Sequence, residues 1–202
     1  MKKSVYKPGT LLLSAIIFSG LSISAQELTK EYHKEYDAQG KSLSLSNRYG
    51  DVVVETSQTD KVIIDVKVTL KYPNQERAEK LLSYIDVQFS EDANVIAAET
   101  NIDDKFNFSG WVGDSRRFSI DYNVKMPVNM DLELENRYGN TDLDDLSGLV
   151  NLDIKYGNLT VSNLLRGDDK PISTVSIAYG KGTIEEAGWL DVSIRYSGNF
   201  TI

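Results

Sequence analysis

The sequence contains no cysteine. That excludes disulfides, thiolate metal sites, a cysteine nucleophile and a lipid-bearing N-terminal cysteine, so a lipoprotein is not expected. A single histidine, His33, leaves little for a zinc site or for histidine-based acid–base catalysis. Positive charge is scarce as well. Lys and Arg number 22 against 30 Asp and Glu, a net charge of −8 over 202 residues. Nucleic acid is therefore not an expected partner, because its phosphates need Lys and Arg. The GxSxG elbow, the phosphate loop and the dinucleotide fingerprint are missing too. What is present is enough apolar material, 41% of residues, for a packed core.

Residues 1–7 carry three lysines and no acid, residues 11–23 are largely apolar, and Ser22, Ser24 and Ala25 follow. A basic head, a short apolar centre and a small-residue exit read as a secretory signal peptide over 1–25, cleaved before Gln26. The apolar run is too short to span a bilayer comfortably. Cleavage removes three positive charges and leaves 177 residues at −11. The expectation is an exported protein, periplasmic or at the cell surface, with no membrane insertion after cleavage. Without disulfides its stability must come from packing.

A repeat organises most of the chain. It aligns on Tyr49, Tyr138, Tyr156, Tyr179 and Tyr196, in LSLSNRYGD, LELENRYGN, VNLDIKYGN, STVSIAYGK and LDVSIRYSGN. Positions six, four and two before each tyrosine are mostly apolar and the residues between them polar, the period of a half-buried strand. Gly50, Gly139, Gly157 and Gly180 follow directly, with Ser197 intervening before Gly198 in the last copy. These glycines are expected to adopt positive φ and turn a corner. A second short strand follows each corner. Its inward residues include Val52 and Val54, then Leu159 and Val161, and finally Phe200 and Ile202 once the one-residue displacement is allowed. The last four tyrosines are 18, 23 and 17 residues apart. The fold class expected is all-β, a β-helix-like β-solenoid with one coil per repeat, inner aliphatic ladders and a tyrosine ladder at one corner. Asn47 and Asn136 replace Ile at an inward position, so each is expected to tie down the turn beside it.

Tyr49 and Tyr138 are 89 residues apart. Between them, residues 60–72 alternate as a long strand, 75–84 (QERAEKLLSY) read as one inserted helix, 85–89, 95–100 and 118–126 as strands, and 101–117 as a loop. One domain is expected over 26–202, irregular over 26–130 and regular over about 131–202.

The signal peptide, the NRYGD and NRYGN corners, the inserted helix and the MPVNMDLELEN segment resemble one family. It comprises exported bacterial β-strand-repeat proteins of unknown function that carry the label of adhesin, related to the head domain of autotransporter adhesins. The resemblance covers roughly residues 43–202. It implies a β-solenoid on the envelope or surface, with no assigned catalytic residue.

Paired acids at Asp103-Asp104, Asp144-Asp145, Asp168-Asp169 and Glu185-Glu186 are adjacent in sequence, so on a strand they face opposite ways and form no dyad. Asp142, Asp144 and Asp145 lack the spacing of a calcium loop. No catalytic residue, metal or cofactor is expected. His33, in a charged segment, reads as a surface or edge-strand residue. The loop KFNFSGWVGDSRRF offers a recognition surface in Phe106, Phe108, Trp111, Arg116 and Arg117, to stack on a sugar or clasp a protein. The competing reading folds these aromatics back over the end of the coils or the helix. Two functions follow: a non-enzymatic adhesin or scaffold with a protein or glycan partner at the cell surface, or a carbohydrate-active solenoid enzyme. The second requires clustered acids and a cation contributed by different coils, which the repeat alignment is not read as supplying. The repeat reaches Ile202 without losing its pattern, so continuation beyond it, or end-to-end association, is expected.

Overall fold

A computed structural model describes residues 26–107 and 117–202; the signal peptide expected over 1–25 lies outside them. Among the described residues the chain is mostly β. Its elements are β1 (Gln26–Asp37), β2 (Ser42–Arg48), β3 (Val52–Ser57), β4 (Lys61–Tyr72), α1 (Gln75–Leu82), β5 (Ile85–Glu91), β6 (Val95–Ile102), β7 (Arg117–Pro127), β8 (Leu132–Arg137), β9 (Thr141–Leu143), β10 (Val150–Lys155), β11 (Leu159–Leu164), β12 (Ser173–Ala178), β13 (Gly182–Ala187), β14 (Leu190–Arg195) and β15 (Phe200–Thr201). They form two mixed sheets, ordered β1-β4-β7-β3-β9-β11-β13-β15 and β14-β12-β10-β8-β2-β6-β5.

The strand before each tyrosine lies in the seven-stranded sheet and the strand after it in the eight-stranded one. Period-two alternation places Leu43, Leu132, Val150, Ser173 and Leu190 in one parallel register column, and Leu45, Leu134, Leu152, Val175 and Val192 in the next. All but Leu190 and Val192, on the edge strand β14, are buried. Facing them are Val54, Leu143, Val161 and Ile184 from the other sheet. Gly182 leaves room for the Phe200 ring, whose Cδ2 would lie 2.5 Å from an added Cβ. Ile202, expected to point inward, is exposed, because β15 ends at Thr201.

The long segment between the first two tyrosines does not separate them. Strand β2 pairs with β8, and β3 with β9, as direct neighbours. The inserted chain instead adds strands to the other side: β6 pairs parallel to β2, and β7 parallel to β3. Three antiparallel additions then close that end, β5 on β6, β4 on β7 and β1 on β4. Strand β1 agrees with the edge-strand reading of His33 in its charged segment, since it is an outermost strand of the eight-stranded sheet. It forms because Leu28, Tyr32 and Tyr36 recur on one face and pack on the core. Lys30 and Tyr32 reach Asp86 on β5 at 2.9 and 2.7 Å, joining the two sheets at this end. Helix α1 is capped by Asn74, whose side chain accepts from the Arg77 amide at 2.8 Å. It buries Ala78 and Leu81 and stops two residues earlier than its periodicity suggests, with Ser83 as its C-cap.

Candidate functional site

The corner of the repeats inverts the expectation. The five tyrosines, not the glycines after them, hold positive φ: 66, 63, 58, 58 and 53° from Tyr49 to Tyr196. A left-handed residue reverses the side-chain alternation, so a tyrosine at an inward phase points outward instead. The inward pattern then resumes in the next strand. The glycine serves a different need. An added Cβ would lie 1.9 Å from the Gly50 oxygen at Gly139, 1.8 Å from the Gly139 oxygen at Gly157, and 1.8 Å from the Gly157 oxygen at Gly180. Any side chain there would collide with the backbone of the preceding repeat.

The outward rings stack. Centroids from Tyr49 to Tyr196 are 5.0, 4.8, 4.7 and 4.9 Å apart, with interplanar angles of 4–6°. These separations match the spacing of neighbouring strands. Tyr138, Tyr156 and Tyr179 remain 46–48% exposed, and Tyr196 is 79% exposed. The ladder therefore presents ring edges along its length and one open ring face at Tyr196. Phe118, tilted against Tyr49 at 5.2 Å, ends the other side. Nothing in the repeat signals Phe118, because it lies in the inserted segment.

At the corner, polar side chains tie one repeat to the next. The Asn140 amide donates to Asp51 Oδ1 at 2.7 Å, the Asn158 amide to Asn140 Oδ1 at 3.1 Å, and the Lys181 amide to Asn158 Oδ1 at 3.2 Å. The buried asparagines tie down their turns as expected. Asn47 Nδ2 donates to the Gly50 oxygen at 3.1 Å and the Ile120 oxygen at 3.0 Å; Asn136 Nδ2 donates to the Asn140 oxygen at 3.0 Å. Thr100 on β6 donates to Asn47 Oδ1 and hydrogen-bonds the Tyr122 hydroxyl on β7, both at 2.9 Å. Burial pushes the Tyr122 phenol far above the ordinary tyrosine range.

An open groove of about 660 Å³ runs beside the ladder, lined by Arg48, Glu99, Glu135, Arg137, Lys155 and the rings of Tyr49, Tyr138 and Tyr156 among others. On the outer face of the same sheet, Glu135 and Asp153 stand opposite one another in the β8–β10 register. Each is ion-paired along its own strand, Glu135 with Arg137 and Asp153 with Lys155 (2.7 Å). Acids and cations from different coils thus do meet here. The alignment held this signal, since both acids sit three residues before a tyrosine.

Of the expected recognition loop, Phe108, Trp111 and Arg116 lie outside the described residues. Phe106 is buried and packs on Phe118 at 5.1 Å, so its ring is not open to a ligand. Arg117 opens β7 opposite Lys71. The Phe106–Phe118 contact brings the two ends of the loop to the Tyr49 end of the ladder. His33 Nδ1 pairs with Asp65 Oδ1 at 2.6 Å on an exposed surface of β1 and β4. Asp144 accepts from the Thr56 amide and Asp145 from Asn163 Nδ2. Among the described residues no group of three or more His, Asp or Glu is placed to hold a metal.

No protein-family model and no curated protein matches the chain. Solved structures similar to it include a candidate cell-adhesion protein from Clostridium sporogenes, at 13% identity and TM-score 0.46 over 86% of this chain and 99% of that one. A candidate adhesin from Bacteroides fragilis matches at 10% identity and TM-score 0.32, over 85% and 96%. A candidate lipid-binding protein from Parabacteroides distasonis matches at 10% identity and TM-score 0.25, over 85% and 96%.

Proposed function

We propose that the chain is an exported, non-enzymatic envelope or surface protein. In this reading it is a single-domain β-solenoid, and its tyrosine corner with the adjoining groove is the face that meets a protein or glycan. The observation that carries this reading is the ladder itself. Five tyrosines are held at positive φ, a conformation that costs a non-glycine residue roughly 1–2 kcal/mol. The outcome is a row of half-exposed aromatic edges beside charged side chains, not a buried core. Stacking offsets part of that strain, and exposed aromatics beside arginine suit recognition. The in-register parallel columns and the tyrosine spacing support the solenoid.

A panel of surface glycans and extracellular proteins, probed with the 26–202 chain, tests the proposal. Binding should be lost when Tyr138, Tyr156 and Tyr179 are together replaced by Ser in a chain that still shows a β-type circular dichroism spectrum. Undiminished binding would refute the ladder as the contact face. Mass spectrometry of the envelope protein should find Gln26, or a residue within two of it, at the N-terminus; an intact Met1 would sink export.

The Glu135–Asp153 neighbours with Arg137 and Lys155 favour one second reading, a carbohydrate-active enzyme. Paired carboxylates beside cations are the raw material of polysaccharide cleavage. Release of reducing ends or unsaturated products from polysaccharides, abolished by Glu135→Gln, would decide for it and against the first.

A further inference from the structure

Among the described residues strand β14 has one neighbour, β12, and its other edge carries no partner strand. The coil it belongs to is the least covered part of the described core. Leu190 and Val192 are only half-buried, Ile194 is 41% exposed, and the open face of Tyr196 lies beside them. Their counterparts one coil back, Val175 and Ile177, are buried. An apolar row on an unpaired edge is a template for another strand.

The sequence of that edge, LDVSIR, is complementary to itself. Paired antiparallel about Ser193, it sets Val192 against Ile194 of a second copy and Asp191 against Arg195 of that copy, twice by symmetry. The backbone permits this register. The Arg195 carbonyl accepts from the amide of Tyr179, the residue that follows β12. By alternation Asp191, Ser193 and Arg195 turn their backbone groups to β12, leaving those of Val192 and Ile194 facing the free edge. Those two residues would exchange the hydrogen bonds. Asp191 and Arg195 would fall at the non-hydrogen-bonded pairs, where side chains approach most closely. Moving the dyad by one residue sets Asp191 against Ser193 and loses the match.

We infer that β14 is a self-association edge, and that two copies join antiparallel through residues 190–195 about a two-fold axis at Ser193, normal to the sheet. Such an axis keeps inner faces on the same side. The two-layer core of one copy then runs into that of the other, and Leu190, Val192 and Ile194 of both copies share one interior. Tyr196 of each copy comes beside Leu190 of the other.

The test uses sedimentation of the 26–202 chain over a concentration series. A monomer–dimer equilibrium is expected. Arg195→Asp, an exposed substitution that should leave the circular dichroism spectrum unchanged, should weaken the dimer about tenfold or more, by turning two attractive pairs into repulsive ones. Asp191→Arg combined with Arg195→Asp should restore it. Because the chain has no cysteine, Ser193→Cys should give a covalent dimer on mild oxidation, whereas Thr160→Cys on the outer face of the other sheet should not. A strict monomer at every concentration overturns the inference. So does a dimer that is indifferent to Arg195→Asp and is not trapped by Ser193→Cys, since another surface would then hold it.

Discussion

At the scale of single residues, the corner divides its labour in a way composition cannot reveal. Tyr-Gly reads as a left-handed glycine following an aromatic, because glycine is the residue that tolerates positive φ. Here the tyrosine bears the left-handed conformation, and the glycine is needed because the preceding coil is within 2 Å of where its Cβ would stand. Two consequences can be measured by urea unfolding. Gly157→Ala should destabilise by about 3 kcal/mol or more, since the obstacle is backbone and cannot step aside. Gly167→Ala, with nothing within 4 Å of the added carbon, should change stability by less than about 0.5 kcal/mol. At Tyr156, truncation to Ala removes two stacking contacts but keeps the strain. The loss should be about 1–3 kcal/mol, below the 3–5 kcal/mol of a buried aromatic. Tyr156→Gly should be more stable than Tyr156→Ala by roughly 1 kcal/mol, because glycine releases the φ penalty. If Ala and Gly prove equal, the positive φ carries no strain.

At the scale of elements, the two sheets are joined inside by a polar contact rather than by side-chain packing alone. Thr100 on β6 bridges Asn47 on β2 and the Tyr122 hydroxyl on β7. Thr100→Val keeps the shape and leaves two buried polar groups short of a partner, so a cost of about 1–3 kcal/mol is expected. Burial of the same tyrosine sets a pH dependence. Burial raises the folded Tyr122 phenol well above its ordinary value of about 10, against a weaker opposing pull from its bond with Thr100. The folded state therefore holds this proton more tightly than the unfolded chain does. That stability is fully present below about pH 10 and is lost as pH rises beyond it. Tyr32 and Tyr36 on β1 shift the same way through burial. The urea midpoint should fall above about pH 10, and Tyr122→Phe should flatten the fall without abolishing it; an unchanged slope would count against the buried Tyr122 phenol as its source. The sequence made β4, β6, β7 and the repeat strands legible, because each shows apolar alternation that only one register can bury. It left β1 between a surface segment and an edge strand, because its single inward row is diluted by charge. It hid the adjacency of β2 and β8, because a long insertion that returns to the far side leaves no trace in local pattern. Glu135 and Asp153 were visible as matching positions, yet their meeting on one face depends on exact parallel register between coils.

At the scale of the whole molecule, the two ends are built differently. One is closed by antiparallel strands and by Lys30 and Tyr32 on Asp86. The other, among the described residues, is the repeat of β14 and β15, and it is displaced. Along the corner, the amides of Tyr49, Tyr138 and Tyr156 donate to the next coil at 2.8–2.9 Å, but Tyr179 donates to Arg195 at 3.1 Å. The amides of Val52, Thr141 and Leu159 donate at 2.8–2.9 Å, but Gly182 donates to Asn199 at 3.2 Å. The sequence differs here at the position after the tyrosine. Where the earlier coils place a glycine against the backbone before them, this coil has Ser197, whose Cβ cannot fit in that place, and one extra residue carries it aside. Ser197 Oγ is buried without a hydrogen-bond partner, a further cost of order 1–3 kcal/mol. Among the described residues β14 and β15 each have a strand neighbour on one side alone, so this loosely held repeat should open before the rest. Hydrogen exchange should therefore be fastest in β14 and β15 and slowest in β8 and β10. It is best measured on Arg195→Asp, so that pairing between copies does not protect the edge. Deleting Ser197 turns YSGN into the YGN of the Tyr138 and Tyr156 corners. The Tyr179 and Gly182 amides should then exchange more slowly, with a gain of about 1 kcal/mol in local opening free energy. Faster exchange at those two amides would mean that the extra residue relieves the terminal coil, and that its displacement has another origin.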